Sequence, residues 1–450
     1  MRFCLVLLFV SASAVAAETT PSRPNILFIV ADDLGWSDVG WHDGFSKTPH
    51  LDELVRTGVE LDQHYVQPVC TPTRTALLSG RYPGRFGPHP LSPSNLRAMP
   101  TGTVTLASAL KSLGYYTVQS GKWHLGSRSE WGPNVFGFDR GYGTLTGAAD
   151  PWTHKYRKGP YEDTWHRDGR RIDEEGNATE LVSAEVLRRI EEKRSPWFIY
   201  VPFHAVHTPV DAPEEFKRIY DFVTFHADPE KQDSRLRMAA MVAQIDAKVG
   251  QFVAALERTG QRENTLIIFT SDNGGIESLK NAYVGHVKDS PLNSENDPLR
   301  GQKATLFEGG IRVCAFANWP ARLKPFKSTV PMHAVDWFPT IASIVGYQSA
   351  DLKWDGINQW PVLTGAAKPD QPRTIYIATP GAHALRHGDW KLIAGAKGKL
   401  QLFHLSVDPY EKTDLAKAEP DKVTELQSLL AIEQAKDIKE LPEDLVGLPQ

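Results

Sequence analysis

The sequence predicts an α/β protein: a large, mostly parallel sheet sandwiched by helices, followed by a small C-terminal antiparallel sheet with a packed helix. Three observations predict it. Four unbroken runs of apolar β-formers each end in ionisable or oxygen-bearing side chains, and such runs mark strands buried on both faces. Helix-period segments lie between them, as in alternating α/β folds. After about residue 372 the pattern changes to short apolar runs separated by turns.

The first run, residues 25–30, empties into Asp32-Asp33-Leu34-Gly35. Adjacent acids beside a buried strand repel each other and are costly to desolvate without a cation; an isolated Asp-Asp pair is more often an exposed turn. Residues 115–119 lead to Lys122 and His124, residues 197–201 to His204 and His207, and residues 265–270 to Asp272 and Asn273. In open α/β sheets ligands bind beyond the carboxyl ends of the strands. Helices are expected at 49–57, 103–113, 179–193, 233–260 and 335–346. The clearest is 233–260, where Leu236, Met238, Val242, Ile245, Val249, Phe252 and Leu256 recur at three- and four-residue steps. Residues 127–178 and 276–302 lack periodicity and read as long irregular loops. Asn177-Ala178-Thr179 is a glycosylation sequon. Short runs at 374–378, 390–393 and 400–403 predict the small sheet, and 420–435 its helix.

The organisation expected is therefore a leader at 1–17, a main domain at 22–372 and a small α+β subdomain at 373–450. The leader has a basic Arg2, an apolar run at 3–15 and small residues Ala16-Ala17. It reads as a secretory signal, implying a periplasmic, secreted or lysosomal protein according to source. No later run offers the roughly 20 apolar residues of a spanning helix. Its removal leaves 49 bases against 54 acids, a net charge of −5. Nucleic acid is thus not an expected partner, and an anionic substrate would be met by a local basic pocket. Cys70 and Cys314 remain. A disulfide is the default for two cysteines in an oxidising compartment, but Cys314 sits in the apolar run 313–316, so an unpaired core thiol is expected.

The run Cys70-Thr71-Pro72-Thr73-Arg74-Thr75-Ala76-Leu77-Leu78-Ser79-Gly80-Arg81 carries a helix start at Pro72 and a stop at Gly80. A side chain at that entrance would face free backbone N–H groups and the positive end of the helix dipole, a setting for an anion. Taken alone, Cys70 is more simply a buried small hydrophobe. Asp32, Asp33, Asp272 and Asn273 form a hard-oxygen donor set that suits Ca²⁺ or Mg²⁺ and not zinc.

The stretch from Cys70 resembles the C-x-P-x-R signature of the sulfatase family, with its trailing L-[ST]-G-R. The resemblance extends over roughly 22–450 through Asp32-Asp33, Gly121-Lys122-Trp123-His124, His207-Thr208-Pro209, Asp272-Asn273-Gly274-Gly275, and Gly301 and Lys303 followed by Glu308-Gly309-Gly310. Gly147-Ala148-Ala149-Asp150, 336–340 and 386–392 look most like the arylsulfatase B, or N-acetylgalactosamine-4-sulfatase, branch. The resemblance implies that Cys70 is oxidised to formylglycine by a formylglycine-generating or anaerobic sulfatase-maturing enzyme. It implies one Ca²⁺ held by Asp32, Asp33, Cys70, Asp272 and Asn273. Arg74 and Lys122 would polarise the formylglycine, His124 would act as its acid/base partner, and His207 and Lys303 would contact the sulfate and leaving oxygen, with His204 the rival of His207. Asp150, Trp152 and His154 on the long loop, and His383 and Arg386 from the small subdomain, are candidate sugar contacts. The implied substrate is a sulfated carbohydrate of glycosaminoglycan type, such as 4-sulfated N-acetylgalactosamine. The alternatives are a phosphomonoesterase or phosphodiesterase of the same superfamily, and a non-catalytic binder of sulfated glycans.

Overall fold

Five parallel strands form the middle of a ten-stranded sheet in the computed structural model, which describes residues 23–277, 294–349, 353–367 and 371–448. They are β1 (Asn25–Ala31), β2 (Tyr116–Lys122), β3 (Arg140–Thr144), β4 (Trp197–Pro202) and β5 (Thr265–Ser271). Their spatial order is β5-β1-β4-β2-β3. Apart from Arg140 they are buried throughout, which explains the continuous apolar runs. Antiparallel strands extend the sheet on both sides: Ala315–Asn318 beside β5, and Trp165–Arg167 beside β3.

Register brings the site together. Ala31 pairs with Ser271 across β1 and β5, and Val30 with Pro202 across β1 and β4. Asp32-Asp33, Asp272-Asn273 and the His204–His207 turn therefore leave neighbouring strands at one level. The Asp32 N–H donates to the Ala205 carbonyl at 3.0 Å, and the Val206 N–H to the Asp32 carbonyl at 2.8 Å.

Helices cover both faces. One side is packed by α1 (Cys70–Ser79) and by the helix Trp337–Val345; the other by Ala178–Glu191 and α2 (Pro229–Arg258). By length and composition alone, α2 is long and apolar enough to cross a membrane, but most of its apolar stretch is buried inside the protein. The expected helices all appear, with ends shifted by a few residues.

One expectation changes. The 127–178 segment is not uniformly irregular: it contains β3, Trp165–Arg167 and Arg170–Arg171. β3 reads Arg-Gly-Tyr-Gly-Thr, with no apolar run to mark it, and becomes a strand through its parallel ladder with β2. The sequon residue Asn177 is buried. It caps the helix Ala178–Glu191, its Oδ1 accepting the Thr179 N–H at 3.0 Å, and is 3% exposed. The leader, residues 1–17, and most of the 276–302 loop lie outside the described residues.

From Thr374 the chain forms an antiparallel sheet of β6 (Thr374–Thr379), β7 (Ala382–His387), β8 (Trp390–Ala394) and β9 (Leu400–His404). One face carries Tyr376, Leu385, Leu392 and Leu402 into the core shared with α3 (Pro420–Gln434); the other carries Ile375, Ile377 and Ile393 against Tyr65 and Ile311.

Candidate active site

α1 begins at Cys70 itself, with Val69 as its cap in extended conformation. Pro72 therefore occupies the third helical position and not the first. Its missing N–H costs nothing there, because the first-turn N–H groups have no intrahelical acceptor. Gly80 ends the helix in left-handed conformation, as expected. The Thr73 hydroxyl donates to the Gln67 carbonyl at 3.1 Å and accepts the Gln67 N–H at 3.0 Å, fixing the approach to Cys70. Cys70 is 2% exposed, and neither it nor Cys314 is in a disulfide.

Three carboxylates and three cations meet beside it. Lys122 Nζ lies 2.5 Å from Asp32 Oδ2. Arg74 donates from Nε and Nη2 to Asp272 Oδ2 at 3.0 and 2.7 Å, and from Nη1 to the Lys122 carbonyl at 2.9 Å. Lys303 Nζ lies 2.6 and 2.8 Å from the two oxygens of Asp33. Asn273 Nδ2 donates to Asp33 Oδ1 at 2.7 Å. The structure thus brings Asp32, Asp33, Arg74, Lys122, Asp272, Asn273 and Lys303 into one buried cluster.

The donor chemistry fits a divalent cation. Asp32 Oδ1 and Asn273 Oδ1 are buried without a hydrogen-bond partner, and buried polar atoms are normally satisfied. One ligand atom from each of Asp32, Asp33 and His207 lies within 4.8 Å of the others. Burial, and then the neighbouring Asp272 carboxylate, push the Asp32 carboxyl up despite Lys122, the mark of a carboxylate short of positive charge. Burial would also raise Asp33, but Lys303, followed by His207 and Lys122, holds it well below the usual range.

The histidines are pushed below their ordinary value. Burial, followed by the Lys122 and Arg74 charges, holds His124 well below its ordinary value. Burial brings His207 down to about 3, Asp33 only partly opposing it. His124 has a left-handed backbone, φ 55°, and its ring lies against Gly147, where a Cβ would be 2.2 Å from Nε2. His207 Nε2 is 3.6 Å from Asp33 Oδ2, whereas His204 Nε2 is engaged by the Thr144 hydroxyl at 2.7 Å. The Cys70 thiol is pushed up by burial despite Lys122 and Lys303, so as plain cysteine it stays protonated and weakly nucleophilic.

The outer residues are placed differently from expectation. Asp150 accepts the N–H groups of Trp152 and Thr153 at 3.0 and 2.8 Å and shapes its own turn. The Trp152 indole donates to Asp211 at 2.9 Å, on the loop that carries His204 and His207. His154 stacks on Trp165 and its Nε2 contacts the Gly176 carbonyl at 2.9 Å. His383 and Arg386 do not close one wall together, because residues three apart on β7 point to opposite faces. His383 stacks on Tyr376 and faces Ala431 of α3, while Arg386 contacts the Tyr65 hydroxyl and lines a separate cleft of about 610 Å³ with Trp36, His42 and Tyr410. Sequence reading assigned no role to Tyr65, Glu308, Lys391 or Glu411, which form a second buried charge cluster.

A strand-end cluster of this composition on this sheet defines a class of hydrolase, and comparison with known proteins identifies it. A family model described as Sulfatase matches residues 24–347. Arylsulfatase J of Mus musculus is 31% identical, covering 91% of this chain and 76% of its own. N-acetylgalactosamine-6-sulfatase of Canis lupus familiaris is 28% identical, covering 95% and 88%. The crystal structure of Ps i-CgsB in complex with k-i-k-neocarrahexaose is 30% identical, with a TM-score of 0.82 over 93% of this chain and 94% of that one. The chain belongs to the sulfatase family and is a sulfatase enzyme.

Proposed function

We propose that this sulfatase is exported and removes sulfate from a sulfated carbohydrate of glycosaminoglycan type, with residue 70 converted from cysteine to formylglycine and one Ca²⁺ at Asp32, Asp33, residue 70, Asp272 and Asn273. The observation that carries this reading is a buried thiol at a helix entrance, beside three carboxylates and three cations. Such a thiol is of little use as it stands, and the carboxylates suit a dication while Arg74, Lys122 and Lys303 suit an anion.

Hydrated formylglycine supplies an oxygen nucleophile and a second hydroxyl for releasing the sulfate, and Ca²⁺ supplies fixed positive charge. The chain's own residues do the rest. Arg74, Lys122 and Lys303 neutralise the equatorial oxygens of a sulfate ester, which otherwise repels an anionic nucleophile. His124, held neutral, accepts a proton from residue 70. His207 and Lys303 contact the departing sugar oxygen, and Lys303, the charged one of the two, gives it a proton. The partner bound by His204 at Thr144 supports His207 for that role. Trp152, partly exposed on the wall tied to Asp211, is the preferred sugar-facing ring of the expected set, beside Asp150 and His154.

Side-by-side rates on an aryl sulfate, a phosphate monoester and a phosphodiester test the reading. A preference for the sulfate ester is expected, and a clear preference for either phosphoester overturns it. Among sugars, 4-sulfated N-acetylgalactosamine is the first candidate. The 6-sulfatase named among the relatives makes the 6-sulfated isomer its competitor, and hydrolysis of the two compared directly decides between them.

A further inference from the structure

Lys303 is carried on a loop whose two ends are gripped by a single residue of the C-terminal subdomain. At its start, Arg300 Nη1 donates to the Glu411 carbonyl at 2.8 Å. At its end, the Glu308 N–H donates to the Glu411 carboxylate at 2.6 Å. The Glu308 carboxylate is itself held by Lys391 Nζ of β8 at 2.9 Å and by the Tyr65 hydroxyl at 2.6 Å. Lys391 Nζ also lies 2.8 Å from Glu411. Glu308 and Glu411 have no exposure and Lys391 has 1%, so among the described residues these charges answer to one another and to Tyr65, Arg312 and Arg386. Glu411 adopts φ 55°, an unfavourable backbone for a non-glycine residue, which the surrounding bonds must hold in place.

Between the grips the loop is close-packed. The Lys303 N–H donates to the Gly275 carbonyl, the Ala304 N–H to that of Pro68 and the Gly309 N–H to that of Arg300, at 3.1, 2.8 and 2.7 Å. A Cβ at Gly274, next to Asn273, would lie 1.8 Å from the Gly309 carbonyl oxygen. A shift at Glu308 is therefore coupled to Lys303 through close packing.

We propose that Glu411 and Lys391 are positioning residues for the reaction, acting through Glu308 and Arg300 to set where the Lys303 ammonium stands relative to Asp33 and the bound sulfate ester. This rests on the role given above to Lys303. Both side chains are buried away from solvent.

The test uses the full-length matured enzyme carrying Glu411→Gln, and separately Arg300→Ala, which removes one grip without disturbing the buried charges. Each is combined with Lys303→Ala. Expected are a loss of about tenfold in kcat with KM little changed, faster amide hydrogen exchange across 299–310, and no further loss when Lys303 is already alanine. Restoration of kcat by Arg300→Lys supports the grip. A loss that multiplies with that of Lys303→Ala overturns the inference, as does wild-type exchange across 299–310 in both variants. If Lys303→Ala alone leaves turnover unchanged, the role of Lys303 in the sulfate clamp falls and the inference falls with it, whereas a multiplying loss refutes the inference and leaves that role standing.

Discussion

Lys122 Nζ stands 2.5 Å from Asp32 Oδ2, and neither side chain has any contact with solvent. A buried pair of this kind contributes little over an apolar pair, but breaking it leaves a stranded charge. Lys122→Met is expected to lower stability by about 3 kcal/mol in chelator-treated protein. Urea melts check this. Turnover is expected to fall by at least about a hundredfold, since a fixed cation beside developing charge is lost.

The orphaned oxygens Asp32 Oδ1 and Asn273 Oδ1 predict stabilisation by a dication. At 100 times its dissociation constant, Ca²⁺ should add about 2.7 kcal/mol. The expected result is a rise in melting temperature that Asp272→Asn weakens and a chelator reverses. An unchanged melting temperature at millimolar Ca²⁺ would contradict the assignment.

Maturation at residue 70 is read by mass. The tryptic peptide from active protein should be about 18 Da lighter than its cysteine form, as expected when a thiol becomes an aldehyde. Cys70→Ala should abolish turnover with an unchanged melting temperature, and Cys70→Ser should not restore it.

Gly147 is the seat of the His124 ring. Gly147→Ala forces the imidazole to move, with an expected ten- to hundredfold fall in kcat and a stability cost of about 1–3 kcal/mol from overpacking. Steady-state kinetics and a thermal melt measure the two effects; wild-type kcat would show that the ring position is not critical.

Far from the site, Asp246 accepts the Leu51 N–H at 2.8 Å, and burial pushes its carboxyl up to about 7. The folded protein thus keeps a proton that the unfolded chain releases near pH 4. Stability from this group is full below about pH 4, declines as pH rises to about 7 and is flat above it. Asp246→Asn keeps an acceptor and removes the titration. It should flatten that slope and raise stability at pH 8 by a few kcal/mol, on the order of the shift, as measured by urea melts across pH.

The central strands and their terminal clusters were legible because burial on both faces writes an unmistakable apolar run. Asp32-Asp33 and Asp272-Asn273 could be placed together because parallel strands end at the same edge. β3 was not legible: two of its five residues are glycine, and only its neighbour makes it a strand. His383 and Arg386 could not be placed relative to one another, because β7 alternates faces and motif spacing ignores that. The Glu308–Lys391–Glu411 cluster was invisible for a different reason. Its partners are separated by 83 and 103 residues in sequence, and neither a motif match at Glu308 nor the strand-like run around Lys391 says which charges meet in space.

The two buried, unpaired cysteines have a practical consequence. In a chain lacking residues 1–17, Cys70 and Cys314 are the only sulfhydryls, and oxidation of the first leaves the second as an internal standard. Titration with a thiol reagent in denaturant then counts one equivalent for a converted molecule and two for an unconverted one. The occupancy of a preparation can be read by colorimetry before any activity is assayed.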